Sequence, residues 1–519
     1  MHETNSPQPN STGELHPVTG SQAASGSHDA PINHHKLDRA DFLLLAVMVV
    51  AAFILILNET LLGVALPSLI EDFNIDARTA QWSSTGFMLT MAVVTPASGF
   101  IISRFSIRTV FCGAMALFCL GALSAGLAPT FGFLIAGRIL QAMGTGIIMP
   151  LLMTTMMRLV PPARIGRAMG LIGMVISAAP ALGPTVSGLI LGVASWHWLF
   201  LAVLPIGLVA LLTGARLAPA SLPEGGADQK LDLLSMVLST LGFGGLVMGL
   251  STLGGASHGA GVTEESTGPA VNPWLLIVVS LVILAVFVWR QLRLQRGASP
   301  FMDLRVFTYY PFVLTVLMTS TAMGVLLGSS VLLPLYTVNV LGMNALTTGL
   351  VLLPGGVASA LLSPVVGGLS DKFGARALVI PGAMVFSGAI WLMTFFGAGT
   401  PVWFIVATYF VLSASIPFMS TPMMGLGLGS LPGRLYSYGS SAMTTVQQVA
   451  SAASTAIFVA LMGIGAQAFD GDPTSVSAQA AGVHLALLVA ACLSLVAVVV
   501  ALILPRRAAL PASEQVVDH

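Results

Sequence analysis

Two ionisable side chains stand where the surrounding sequence offers no water. Glu59 follows Asn58 in ILILNETLLGVALP, residues 54–67, directly behind the apolar run Phe42 to Leu57, and Arg138 lies within the apolar stretch FGFLIAGRILQAMGTG, residues 131–146. A charge at bilayer depth costs roughly 3 kcal/mol, so each of these residues needs a partner, a cavity or a function. At 1.5 Å per residue, Glu59 lies about 25 Å along its helix from Phe42, past the midpoint of a hydrocarbon core about 30 Å thick. Desolvation there disfavours the carboxylate, and a proton held by it exchanges when a cavity opens to water. Glu59 is expected to carry a proton, to bind a cationic small molecule, or to do both in competition; a site that cannot hold both together performs exchange. The alternative is a structural acid hydrogen-bonded to a neighbouring helix. Arg138 stays protonated and is expected to tune nearby carboxyls as a fixed positive charge, or equally to cap carbonyls or pair across a helix interface.

The elements that position these groups follow from composition. The chain is 55% hydrophobic and 8% charged, whereas a water-soluble domain carries about 25% charge. This is an integral membrane protein, all-α in class, and its 55 glycines and 30 prolines suit spanning helices that pack closely and kink. With roughly 20 apolar residues needed per span, the sequence divides into fourteen candidate helices: 42–66, 81–102, 109–127, 132–157, 165–193, 197–214, 232–253, 274–291, 311–338, 346–369, 376–396, 401–427, 440–465 and 482–504. Residues 1–41, rich in Ser, Pro, Gly, Asn and His, are read as a disordered cytoplasmic tail, and 506–519 as a second one.

Charge tests the count. Fourteen spans with both termini cytoplasmic place 18 of the 20 basic residues in inward loops, helix ends or tails, as the bias of Lys and Arg toward the cytoplasm requires. Lys36, Arg39, Lys230, Arg296, Arg506 and Arg507 are among them; Arg78 falls outside and Arg138 is in the membrane. Trp82, Trp196, Trp198, Trp274 and Trp403 fall at outward helix ends and are expected as interfacial rings.

The sequence also repeats. GFIISRFSIR, Gly99 to Arg108, aligns with GGLSDKFGAR, Gly367 to Arg376, matching Gly99 with Gly367, Arg104 with Lys372, Phe105 with Phe373 and Arg108 with Arg376. Two six-helix bundles, 42–215 and 311–505, with an inserted helix pair and its linkers at 216–310, account for this offset. Duplicated bundles place a substrate site at their interface and work by rocking one half against the other.

These residues resemble the major facilitator superfamily, and within it the fourteen-span drug/proton antiporter family of EmrB/QacA-type multidrug exporters, over about 42–505. GGLSDKFGAR is similar to the superfamily's loop signature, which implies that this loop, with Gly374, closes the inward face and that Asp371, Lys372 and Arg376 form charge pairs with neighbouring helix ends. In the first copy, with Gly99, Arg104 and Arg108, Ser103 replaces the acid and Ser106 the glycine. RILQAMGTG resembles the fourth-span signature, whose arginine the family uses in proton transfer or in structuring that helix. APALGPTVSG, Ala179 to Gly188, resembles the fifth-span antiporter signature, which implies a kink at Gly183, Pro184 and Gly188. SWHWLFLAVLPIG, Ser195 to Gly207, is similar to the start of span six, and LNETLLGVALP to the first-span signature, with Asn58 where many members carry Asp.

The resemblance implies secondary active transport: proton-coupled export of amphipathic or cationic small molecules and drugs, the source of antibiotic resistance, with export of one specific metabolite such as an amino acid, bile salt or siderophore as the alternative. Asn58, Gln141, Met143 and Met149 are the candidates for a substrate cavity, since methionines make a pliable lining, although such residues also serve as ordinary core. Other classes fit poorly. Zero net charge argues against nucleic acid. Cys112, Cys119 and Cys492 match neither a disulfide framework nor a metal spacing and read as core fillers. No His/Cys/Asp grouping at ligand spacing occurs within the spans, so neither an enzyme nor a metal or other cofactor is expected. A channel would need a polar pore. Arg outnumbers Lys 17 to 3, which suits a GC-rich bacterial genome and a cytoplasmic-membrane location. A monomer is expected, with the lipid bilayer, protons and a small molecule as partners.

Overall fold

The computed structural model describes residues 38–221, 232–253, 272–295, 300–343, 345–397, 399–468 and 475–504. Most of the expected N-terminal tail, the C-terminal tail from 505, Lys36, Lys230, Arg296, Arg506 and Arg507 lie outside the described residues, as does the side chain of Arg78. Among the described residues all regular structure is helical: α1 Arg39–Phe73, α2 Ala77–Arg104, α3 Ile107–Gly126, α4 Phe131–Leu159, α5 Ile165–Leu191, α6 Trp198–Leu201, α7 Leu204–Leu217, α8 Leu233–Leu253, α9 Pro273–Leu294, α10 Tyr310–Asn339, α11 Ala345–Phe373, α12 Ala375–Met393, α13 Val402–Gly429, α14 Tyr436–Gln467 and α15 Val476–Ile503. Among the described residues fourteen spans are long and apolar enough to cross a membrane, with α6 and α7 together forming the sixth.

Helix ends follow local chemistry. Asp38, Asp76, Ser106, Asn272 and Ser475 each accept a backbone N–H at a helix start, supplying partners that the first helical turn lacks. Two boundaries depart from the sequence reading. The first span does not stop before Pro67; α1 runs through it to Phe73 and ends on Asn74 in the left-handed conformation. A proline removes one backbone donor and leaves the flanking turns able to continue. The sixth span breaks after Leu201 and restarts with Pro205 in the first turn of α7, where its missing N–H has no partner to lose.

Packing produces two large cores. One draws on α1 to α7 and takes in Phe287 of α9, Phe312 of α10, Leu428 of α13 and Ala442 of α14, the other on α10 to α15. Trp82, Trp198, Trp274 and Trp403 are exposed, but Trp196 is buried and donates to Asp72 at 2.8 Å, so it is a packed ring and not an interfacial one. Of the cysteines expected as core, Cys119 is buried, Cys112 is partly exposed and Cys492 is exposed.

The helix pair α8 and α9, expected from the sequence as an insertion, has a defined seat. Glycines 242, 245 and 249 of α8 let α9 approach, Gly244 meets Val93 of α2, and Leu246 and Leu250 cluster with Ala456 of α14. The ring series Phe243, Phe287, Phe301, Phe100 then carries the contact from the pair through the following linker to α2. At the basic end Arg290 donates twice to Asp232 at 2.9 Å, and Gln291 accepts from the Met302 N–H. Hydrogen bonding from Arg290 holds the Asp232 carboxyl below the usual carboxylate range. Its stabilising effect is full at neutral pH and is lost on acidification through the lowered value. The pair lies against both α2 and α14, one helix from each end of the chain.

Candidate functional site

Arg138, on the buried face of α4, is 1% exposed. Its Nε donates to the Ser83 carbonyl of α2 at 3.3 Å, and its Nη1 donates to Asn58 Oδ1 of α1 at 3.2 Å and to Gln141 Oε1 at 3.3 Å. The guanidinium stacks 4.1 Å from the Phe87 ring centroid, a favourable place for a desolvated cation. Each of these acceptors is uncharged. Asn58 and Gln141 are themselves 1% and 0% exposed, and their amide nitrogens have no partner among the described residues.

Glu59 is the next residue on α1, a step of about 100° around the helix. It is partly exposed, makes no ion pair within 4.0 Å among the described residues, and acts on Arg138 through space. The neighbouring turn is held by α5. Gly183 is buried where a Cβ would collide with Thr60, and Ser187 donates to the Leu61 carbonyl at 2.8 Å. Pro184 and Gly188 of the same segment are exposed, and Pro180 and Pro184 both lie inside the helix. The fifth-span segment therefore grips α1 one and two residues beyond Glu59.

The two repeated loops meet opposite helices at the basic end. Asp371, ending α11, accepts the Gly166 N–H at 2.7 Å and the Arg167 N–H at 2.9 Å, filling two unpaired donors at the start of α5 with a negative charge at its positive pole. Gly367 lies against the Gly166 backbone, Gly170 against Ser363 and Pro364, and Ser359 bonds Ser177 at 2.9 Å. In the other copy Ser103 bonds the Tyr438 hydroxyl at 3.1 Å, and Gly99 has Ser441 Cβ 3.1 Å from where its own Cβ would be. Ser441 donates to the Thr95 carbonyl, and Thr154 bonds Ser440 at 2.8 Å. These cross-contacts span about 18 Å inward from the basic end at 1.5 Å per residue, and Glu59 and Arg138 lie beyond them.

The remaining candidates scatter. Arg376 donates to the Leu504 and Leu502 carbonyls at the end of α15, a cation at a helix C-terminus. Lys372 and Arg108 are exposed, and Arg104 lies 5.8 Å from the Phe105 ring centroid. Gly374 has φ +80, the left-handed region that glycine enters without penalty; Ser106 at the corresponding turn has φ −64 and caps α3 instead. Met149 is packed in the first core, and Met143 is partly exposed. Ser83, Phe87, Gly166, Gly170 and Tyr438 were not legible as site residues, because their partners are tens to hundreds of residues away.

Asp371→Ala is expected to shift the equilibrium between closed and open basic ends about fivefold toward open, the equivalent of a lost cap near 1 kcal/mol. Cross-linking of a Thr154→Cys/Ser440→Cys pair measures it; unchanged cross-linking would remove Asp371 from the seal.

A family model described as Major Facilitator Superfamily matches residues 48–455. The lincomycin resistance protein LmrB of Listeria monocytogenes is 39% identical over 82% of this chain and 87% of its own length, and that of Bacillus subtilis 38% over 80% and 85%. A multidrug resistance protein B homolog of Mycobacterium tuberculosis is 28% identical over 82% and 77%. In fold the chain is similar to the human organic anion transporter MFSD10 (TETRAN), with a TM-score of 0.61 at 14% identity, covering 89% of this chain and 99% of that one.

Proposed function

This chain belongs to the major facilitator superfamily, and we propose that it exports amphipathic or cationic small molecules, drugs among them, across the plasma membrane in exchange for protons. It is a multi-pass membrane transporter, and the names of its relatives place drug resistance at the head of the possible activities. The observation that carries proton coupling is the acid at Glu59, partly exposed and without an ion pair, beside a buried guanidinium whose acceptors are neutral.

In this reading the basic end faces the cytoplasm. The bundles 42–215 and 311–505 rock about the contacts of α5 with α11 and α2 with α14, so that Glu59 meets water from one face and then the other. With the basic end sealed, Glu59 takes up a proton from outside; with it open, the proton leaves to the cytoplasm and a cationic cargo takes its place. Arg138 supplies a fixed positive charge that favours proton release. The small molecule, protons and the bilayer suffice as partners, and a monomer completes the cycle.

The test is substrate-driven proton movement. In proteoliposomes containing a pH-sensitive dye, a lincomycin gradient is expected to drive opposite proton movement, abolished in Glu59→Gln. Lincomycin flux without any proton movement would overturn the coupling; movement of neither, across a panel of amphipathic cations, would overturn drug export.

A further inference from the structure

Asn58 and Gln141 each turn an amide oxygen to Arg138 Nη1, at 3.2 and 3.3 Å, and each leaves its amide nitrogen buried without a partner. The opposite orientation would aim N–H groups at a guanidinium, so the orphaned nitrogens follow from the choice of residue. Each buried unpaired donor is a net cost to the fold. A carboxylate at either position would satisfy Arg138 with charge and leave no orphan. The amides are thus the more costly solution locally, and what they provide is an acceptor that never titrates.

We propose that Asn58 is a positioning residue for proton exchange: it keeps the Arg138 guanidinium occupied with a neutral oxygen, so that Arg138 acts on Glu59 only through space, without an ion pair that would lock the carboxylate, and Glu59 remains free to gain and lose its proton. The proposal rests on the reading of Glu59 as the proton carrier. Geometry favours it, because Asn58 and Glu59 are consecutive on α1 and compete for one cation, yet only Asn58 touches it. The helices packed against α1 add no second charge at this depth among the described side chains. Arg104 of α2, Arg158 of α4, Arg167 of α5 and Arg216 of α7 all lie in end turns at the basic end, and α6 carries none.

Two substitutions are expected to move the pH dependence in opposite directions. Asn58→Asp pairs Arg138 with a carboxylate and cancels its field at Glu59, so the pH midpoint of lincomycin-driven proton movement in proteoliposomes shifts alkaline by about one unit. Asn58→Leu frees Nη1, which captures the Glu59 carboxylate, and the midpoint shifts acid by a similar amount. Gln141→Glu and Gln141→Leu repeat the two directions from α4, so a variant lost to misfolding leaves the test intact. A residue that only supports packing would lower the amount of transport without moving the midpoint. Absent or same-direction shifts overturn the proposal. If Glu59→Gln still moves protons with lincomycin, the carrier assignment fails; if it abolishes them while the opposite shifts are missing, only the role of Asn58 falls.

Discussion

Glu59→Gln is expected to abolish uphill transport while leaving the fold intact. One charge crossing 100 mV releases about 2.3 kcal/mol, enough for a concentration ratio of about fifty-fold when transport is fully coupled. A glutamine fills nearly the same volume but carries no exchangeable proton, so in energised inverted vesicles the lincomycin ratio should collapse from tens to about one. Glu59→Asp keeps the ionisable group on a shorter arm and should retain a measurable part of the gradient. Because Glu59 makes no ion pair within 4.0 Å among the described residues, the substitution breaks no bond between described helices, and a normal thermal transition of the purified protein is expected alongside. Full accumulation by the glutamine variant would show that protons travel by another group.

Gly367→Leu is expected to have the next largest effect, acting on the seal instead of the proton. A Cβ at Gly367 would collide with the Gly166 carbonyl and stand 3.1 Å from Arg167 Cα. Both are backbone, so no rotamer change relieves the overlap and α5 must part from α11. Overpacking of this kind costs about 1–3 kcal/mol, enough to lower the closed-to-open ratio by about fivefold to 150-fold. The Asp371 bonds to the Gly166 and Arg167 N–H groups separate with it. A Ser177→Cys/Ser359→Cys pair, whose parent hydroxyls are 2.9 Å apart, should cross-link readily in the parent protein and at least about fivefold more slowly with Gly367→Leu, and efflux should fall in parallel. Gly349→Leu on the same helix, where a Cβ would meet nothing within 4 Å, is the matched control with no expected effect. Equal cross-linking in both variants would mean that the α5–α11 contact is not what closes the basic end.

Much of this protein is written in local features. Fourteen spans were readable because hydropathy is a property of consecutive residues, and the exposed tryptophans because they mark span ends. Glu59 and Arg138 stood out because a charge in an apolar run is costly wherever the helix points.

What the chain order could not reveal was the partner of each helical face. A period of 3.6 residues says that Asn58 and Glu59 point about 100° apart and leaves open which of them meets Arg138, 80 residues away; tertiary packing gave the guanidinium to the amide. The same holds for Asp371 reaching α5 across 205 residues, for Trp196 turning inward to Asp72, and for the inserted pair lying on α2 and α14. Composition and spacing set which elements form, because those forces act within a few residues along the chain. Which side chains meet depends on how whole helices rotate and slide against one another, and that is decided by close packing among residues distant in sequence.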